Sequence, residues 1–430
     1  MKRQARVVKK ITIDRRWLLV VWAVVVVAGA VYITRSRAAT TSLGLEAEKG
    51  TLSKATALTE SASTVSNGGF ARLGGSSGGL LGLDSWTYIN ADASRQDTQW
   101  RWGLAMGDVN GDGYADIAAG RYLYLNKGTG DITGTWQRID GFTDLQVIAN
   151  IDGDQYGDVF DLGGAPKWLE WDPSSNRLVE RGSASGPNAH QGATWGEVTG
   201  GGTPEVVYSS EGTVNMITFN GTSMSVTQLA SGTADEAVAI GDINGDGKPD
   251  VAASDGNNAI WLENNGSTSN WTMRTVGPAD HGGDNGGFTD KVAIADIDGD
   301  GKNDVLLSEE IFSAPAANTY WYKNPGGAAT SGWIRSIVAS QETTNSMSVA
   351  DMDGDGDIDV ITGEHRGSKT VSIWENKSNG SQWTEHQVDS GKESHGGTKV
   401  IDLDNDGDLD IVSIAYDAPQ DLHIWRNNAK

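Results

Sequence analysis

The chain has 430 residues and no cysteine, so neither disulfides nor thiolate metal sites are available to it. Its formal charge is −24, and the first 38 residues hold nine Lys/Arg against one Asp, so the remainder carries about −32. Such acidity argues against nucleic acid as a partner, because phosphate contacts require cationic side chains.

In chain order, residues 1–16 are basic, with Lys2, Arg3, Arg6, Lys9, Lys10, Arg15 and Arg16. Residues 17–34 follow as a transmembrane signal anchor, with Trp17–Ile33 uninterruptedly apolar. That run sits at the short end for a spanning helix (~17–25 residues) and beyond a usual signal-peptide core (~7–15). Positive charge before it keeps residues 1–16 in the cytoplasm and sends the rest outside the cell. Ser36 and Ala38 offer a small-x-small cleavage pattern, so a cleaved signal and a secreted protein is the alternative. Residues 35–84 read as a Ser/Thr/Gly-rich stalk. Within it, Leu45–Gly50 and Ser66–Phe70 resemble the opening of β-sandwich carbohydrate-binding modules, and read as a remnant of one or as a short strand.

From Ser85 onward one pattern recurs. Asp296–Asp304 reads D-I-D-G-D-G-K-N-D, with carboxylates at positions 1, 3, 5 and 9 and glycine at 4 and 6. Similar stretches begin at Asp108, Asn150, Asp242, Asp351 and Asp402, and a decayed one at Glu197, with start-to-start steps of 42, 47, 45, 54, 55 and 51 residues. Short apolar runs flank each stretch, which makes it a hairpin connection. A third strand follows, often with tryptophan (Trp171, Trp261, Trp321, Trp374, Trp425), and then a fourth opening on Trp271, Trp333 or Trp383. Four strands at a period of about 40–50 residues are a propeller blade. The last repeat lacks its fourth strand, and Ser85–Ala91 resembles the missing piece. The expected fold is therefore all-β: a seven-bladed propeller over residues 85–430, closed by its N-terminal strand and preceded by one transmembrane helix. In-register recurrence assigns the third-strand tryptophans to blade packing rather than to ligand stacking.

An acid at every second residue of a tight loop suits Ca²⁺, which takes about six to eight oxygens, and glycine supplies the left-handed backbone angles. The expected ligands are Asp108, Asn110, Asp112 and Asp116; Asn150, Asp152, Asp154 and Asp158; Asp242, Asn244, Asp246 and Asp250; Asp296, Asp298, Asp300 and Asp304; Asp351, Asp353, Asp355 and Asp359; and Asp402, Asp404, Asp406 and Asp410. The last three loops, with four carboxylates each, should bind best. Gln155 in place of glycine weakens the Asn150 loop, and Thr199 and Gly201 remove the Glu197 loop from the set.

These loops resemble FG-GAP and VCBS-type repeats, the propeller repeats also found in integrin alpha chains, with VCBS as the nearer label. The resemblance implies a calcium-bound propeller displayed outside the cell, with partners docking on the face opposite the metal loops. On that face the connections carry Trp100, Arg121, His281, Glu309, Glu364, His365, Arg366, His395 and Tyr416 as candidate ligand-binding residues. No residue is assigned a catalytic role. The expectation is a monomeric, membrane-anchored adhesion or recognition module for a protein or glycan. A polysaccharide lyase or sugar dehydratase is the alternative, with Glu309, Glu364, His365 and His395 as acid–base groups and Trp100 as a sugar platform.

Overall fold

In all seven hairpins the ninth residue is the antiparallel partner of the residue just before the first: Gly107 with Asp116, Ala149 with Asp158, Gly196 with Glu205, Gly241 with Asp250, Ala295 with Asp304, Ala350 with Asp359, and Ile401 with Asp410. The glycines at positions 4 and 6 take left-handed angles, as at Gly111 (φ 76°) and Gly113 (φ 88°). Asn405 takes the first of these places at φ 58°, an angle asparagine tolerates.

The computed structural model describes residues 57–60 and 70–73 as strands, and then 80–97, 102–234, 236–280, 287–311, 316–417 and 420–430. The chain divides into two compact units, Met1–Ser42 and Leu43–Lys430, and every described residue belongs to the second. The expected transmembrane segment, residues 17–34, lies outside the described residues. Among those described, no helix is long and apolar enough to cross a membrane. Ala57–Glu60 pairs with Phe70–Leu73 as an antiparallel ribbon, so the segment read as a stalk carries local structure.

Consecutive strands pair antiparallel in five four-stranded sheets and one six-stranded sheet. The first sheet covers 104–183, and the next four cover 193–231, 239–278, 287–341 and 344–389. The sixth takes three strands from 395–427 and completes itself with Trp86–Asp92. That N-terminal strand pairs with Leu422–Asn427, with Tyr88 opposite Trp425 and Trp86 opposite Asn427, so the ring closes as expected. The chain enters slightly earlier than expected, for the Leu81 amide donates to the Asp353 carbonyl at 2.8 Å.

The expectation of seven separate blades is corrected to six sheets. Gln137–Ala149 is one continuous strand whose first part pairs with 122–125 and whose last part pairs with 158–161, so it fuses the first two repeats. The sequence reading placed a break there. Asp116–Leu125, in the same sheet, doubles back at Gly120 (φ 57°). Asp116 accepts from the Asn126 amide at 2.7 Å, whereas ten residues of straight strand would span about 33 Å.

The core lies between successive sheets. Trp261 with Val292, Ile294 and Tyr322 fills the space between the third and fourth, and Trp321 with Val349 and Val360 fills the next. Inner strands such as Asp304–Ile311 are buried throughout, because both faces meet a neighbouring sheet. Outer strands such as Thr272–Pro278 expose most of their residues. Trp171, Trp261, Trp321 and Trp425 are buried and Trp374 packs against the same layers, which bears out their packing role.

One device recurs at the hairpin end. The ninth-position carboxylate accepts the second-position amide on one oxygen, as Asp359 does from Met352 at 2.9 Å. Its other oxygen accepts the amide of an asparagine that ends the third strand, as from Asn376 at 2.8 Å. The asparagine side chain then donates to the preceding repeat's hairpin: Asn376 to the Ile297 carbonyl (2.8 Å), Asn324 to Ile243 (2.7 Å), Asn264 to Val198 (2.9 Å) and Asn126 to Leu403 (2.9 Å). These asparagines are buried, so losing one strands the carbonyls it serves. Asn376→Ala should cost about 1–3 kcal/mol in denaturant unfolding. The exposed control Gln382→Ala should stay within about 0.5 kcal/mol. Equal losses in the two variants would remove the asparagine from this role.

Candidate functional site

The hairpins occupy one end of the strands. Their first-position side chain organises each turn by accepting amides of positions 4 to 6. Asp108 accepts from Gly111 (2.8 Å), Asp112 (3.1 Å) and Gly113 (2.7 Å), and Asp242 repeats the pattern with Gly245, Asp246 and Gly247. The acids at positions 1, 3 and 5 then converge. Carboxylate oxygens of Asp296, Asp298 and Asp300 lie within 4.8 Å of one another, as do those of Asp351, Asp353 and Asp355. At the last hairpin Asp402 and Asp404 converge with the ninth-position Asp410. This donor set is all oxygen, which fits a hard cation.

The ninth-position acids Asp116, Asp158, Asp250, Asp304, Asp359 and Asp410 are buried. Burial outweighs their amide hydrogen bonds and pushes them up, to about 7 for Asp116, Asp158, Asp250 and Asp304 and about 8 for Asp359 and Asp410. Both oxygens of each already accept at least one hydrogen bond, so these residues fasten the hairpin and have little lone-pair capacity left for an ion. Cations of the chain itself answer some of the charge. Lys302 pairs with Asp300 (2.7 Å), Lys248 with Asp246 (2.6 Å), and Arg426 with Asp404 (2.5 Å) and Asp406 (3.2 Å). Lys323 contacts Asp298.

Two hairpins depart from the pattern for visible reasons. In the second, Asn150 donates to the Asp154 carbonyl at 2.6 Å, and Asp152 and Asp154 converge with Glu170 from the third strand. Glu170 was missed because it lies outside the nine-residue loop; a strand acid facing the hairpin was its only signal. Pro173 stands where the fastening asparagine would be and has no amide hydrogen, so Asp158 accepts from the Trp168 indole instead (2.6 Å). At Glu197 the Thr199 hydroxyl donates to Glu205 at 2.6 Å, and the Val198 amide does so at 2.7 Å. Hydrogen bonds alone close that turn.

At the other end of the strands the expected ligand residues separate into two groups. His365, His395 and Tyr416 come together: the rings of His365 and His395 meet edge-on at 4.6 Å, and His395 stacks on Tyr416 at 4.9 Å. Trp102 lies 5.3 Å from His395 and 4.8 Å from His190. His365 Nδ1 is 3.0 Å from Glu310, and its Nε2 is 3.3 Å from Glu393. Burial, with His365, Lys291 and Arg366 nearby, holds His395 well below the usual histidine value, so its imidazole is neutral. Close by in the fourth sheet, Lys291 pairs with Asp290 and donates to Gln191 at 2.8 Å.

Glu309 and Glu364, expected as acid–base groups, brace loops. Glu309 accepts from the Asn318 amide (3.2 Å) and the Tyr320 hydroxyl (3.1 Å). Glu364 accepts from the amides of Glu342 and Thr370, both at 2.8 Å, and from the Thr370 hydroxyl at 2.7 Å. Their neighbours Glu310 and Glu393 meet the histidine instead. Successive strand residues face opposite ways, which is why Glu310 rather than Glu309 turns to His365. The same alternation, in Glu393-Ser394-His395, was the available sign that Glu393 and His395 share a side. Arg121 packs at the turn beside Asp97, with its amide 3.2 Å from that carboxylate, and Arg366 is exposed. Trp100 and His281 lie outside the described residues. His190 also borders a groove of about 840 Å³ lined by Pro187, Asn188, Glu211, Asn215 and Gln228.

Family models match over much of this ring. The FG-GAP-like repeat model matches 197–253, 242–307 and 351–413, and the FG-GAP repeat model matches 100–134, so FG-GAP replaces VCBS as the nearer label. No curated protein matches. Among solved structures, BBS1N in complex with ARL6DN is similar with a TM-score of 0.51 at 11% identity, over 82% of this chain and 98% of that one. A lectin of Agrocybe aegerita that recognises non-reducing terminal N-acetylglucosamine has a TM-score of 0.46 at 18% identity, over 66% and 79% of the two chains. The Photorhabdus luminescens Tc holotoxin pore has a TM-score of 0.40 at 15% identity, over 76% of this chain and 15% of that one. At these identities likeness is one of fold, and the lectin and toxin carry no argument about function. The chain carries FG-GAP-type repeats, arranged as a β-propeller.

Proposed function

We propose that this protein is a calcium-stabilised recognition module, with cations in the acidic hairpins at one end and a protein- or glycan-binding surface at the other. The observation that carries the reading is the convergence of three carboxylates within 4.8 Å in three hairpins: Asp296 with Asp298 and Asp300, Asp351 with Asp353 and Asp355, and Asp402 with Asp404 and Asp410. Carboxylates this close repel one another unless protonated or bridged by a cation. The lysines on Asp246 and Asp300 sit at exposed positions, and a divalent ion would displace them readily. The polar groove beside His190 offers amide and carboxylate groups suited to hydroxyls or peptide bonds. The basic stretch followed by Trp17–Ile33 supports anchoring at the cell membrane with the propeller outside, or secretion after cleavage.

A second reading, a polysaccharide lyase or sugar dehydratase, is favoured by one observation: the gathering of His365, His395, Tyr416 and Glu393 at that same end. The two readings part on turnover. Saturable binding on a glycan or protein array without product supports the module. New ultraviolet absorbance on uronate-containing polysaccharides, from the double bond a lyase leaves, supports the enzyme.

Chelation should lower the melting temperature of the full chain, and Ca²⁺ should restore it; a melt indifferent to chelator would end the calcium reading. Asp300→Ala and Asp355→Ala should each lower the melting temperature in Ca²⁺ and change it little in chelator. Glu197→Ala, which loses only the Gly201 amide contact of 2.9 Å, should stay within about 0.5 kcal/mol in both conditions. Comparable Ca²⁺-dependent losses in all three variants would contradict the ranking of the hairpins.

A further inference from the structure

We propose that His365, His395 and Glu393 form a site for a divalent transition metal of the Zn²⁺ class, distinct from the calcium hairpins and at the opposite end of the strands. The three residues are buried, and one ligand atom from each lies within 4.8 Å of the others. His365 follows the second strand of the fifth sheet, while Glu393 and His395 lead into the first strand of the sixth, so sheet packing rather than sequence proximity brings them together.

Two carboxylates bracket the His365 ring. Glu310 lies 3.0 Å from His365 Nδ1, and a ring that carries its proton on Nδ1 presents the Nε2 lone pair to an ion. What it faces is the Glu393 carboxylate, at 3.3 Å and without hydrogen-bond geometry. A cation at Nε2, a proton or a metal ion, answers that carboxylate. A tetrahedral metal with bonds of about 2.0–2.1 Å separates its ligands by roughly 3.3–3.4 Å, which matches that spacing. The carboxylate–imidazole arrangement is also the one that orients metal-bound histidines.

His395 supplies the second, independent indication. It is 4% exposed, and neither ring nitrogen has a hydrogen-bond partner. Trp102 and Tyr416 cover its faces. Buried polar nitrogens ordinarily find a partner, and a metal is one. Glu393 is held in place by the amides of Tyr416 (2.8 Å) and Asp417 (3.1 Å). Two imidazoles and one carboxylate select Zn²⁺ or a neighbouring first-row ion over Ca²⁺. Three protein ligands leave a position open, on the side where the exposed Asp417 carboxylate approaches to 4.0 Å from His365.

The test uses the full chain, stripped by chelator and refilled with excess Ca²⁺ so that the hairpins are satisfied. Co²⁺ is then titrated and its visible ligand-field band recorded. One equivalent should saturate the band, and Zn²⁺ should abolish it by displacement. His395→Ala and Glu393→Gln should lose the band while keeping a Ca²⁺-dependent melt, and Glu310→Gln should weaken binding roughly 10–100-fold. His386→Ala, which removes a histidine paired with acids elsewhere (Asp84 and Glu375), should leave it unchanged. Absence of a saturable band in the folded wild-type protein overturns the proposal, and that readout stands even where a variant fails to fold. A band that survives His395→Ala, or that vanishes in His386→Ala, overturns it as well.

Discussion

The buried ninth-position carboxylate of each hairpin is the interaction on which this ring rests. Burial pushes its titration up, to about 8 at Asp359, and in five of the seven hairpins it recovers part of that cost from two backbone amides. One amide belongs to its own turn. The other belongs to the residue that ends the third strand, so a single carboxylate fixes hairpin to sheet. At Asn126, Asn264, Asn324 and Asn376 the side chain of that residue carries the connection to the preceding hairpin. The acidic end of the propeller is therefore a polar belt that joins repeats, complementing the apolar layers between sheets.

That arrangement explains why the hairpin acids are not equivalent. Position 1 gathers amides of its own turn, whereas position 9 is buried and accepts one amide from the turn and, in five hairpins, one from the end of the third strand. The Glu197 hairpin illustrates the alternative outcome. Thr199 and Glu205 satisfy each other there, and the turn closes with no concentration of charge. A repeat can thus keep its hairpin without acids at positions 3 and 5, because the fastening carboxylate is a different residue of the same loop.

At the opposite end the chemistry changes from oxygen-only to mixed nitrogen and oxygen. Connections from different sheets deliver aromatic, imidazole and carboxylate groups to one buried cluster, with Lys291 and Asp290 close by. The second strands end and the first strands begin at this rim, so loop residues from neighbouring sheets meet there without disturbing the ladders. The groove beside His190 opens from the same rim. A rigid ring thus presents a varied surface on short connections.

Repeats, strand order, ring closure by the Trp86 strand and the packing role of the third-strand tryptophans were legible because each is periodic, and periodicity survives without coordinates. The asparagine after the third strand was equally periodic but hidden, since nothing local distinguishes a buried asparagine from a turn residue. The fusion of the first two repeats through Gln137–Ala149 was not legible, because strand continuity there depends on partners on either side. Nor was the pairing of His365 with Glu310 and Glu393 rather than Glu309 and Glu364, for a one-residue offset on a strand reverses the direction of a side chain. The sequence by itself determined the spacing of charges within each nine-residue loop, where neighbours are fixed by covalent reach. Only the tertiary structure decided which groups from different sheets share a buried space, since that depends on how the sheets come together around the axis.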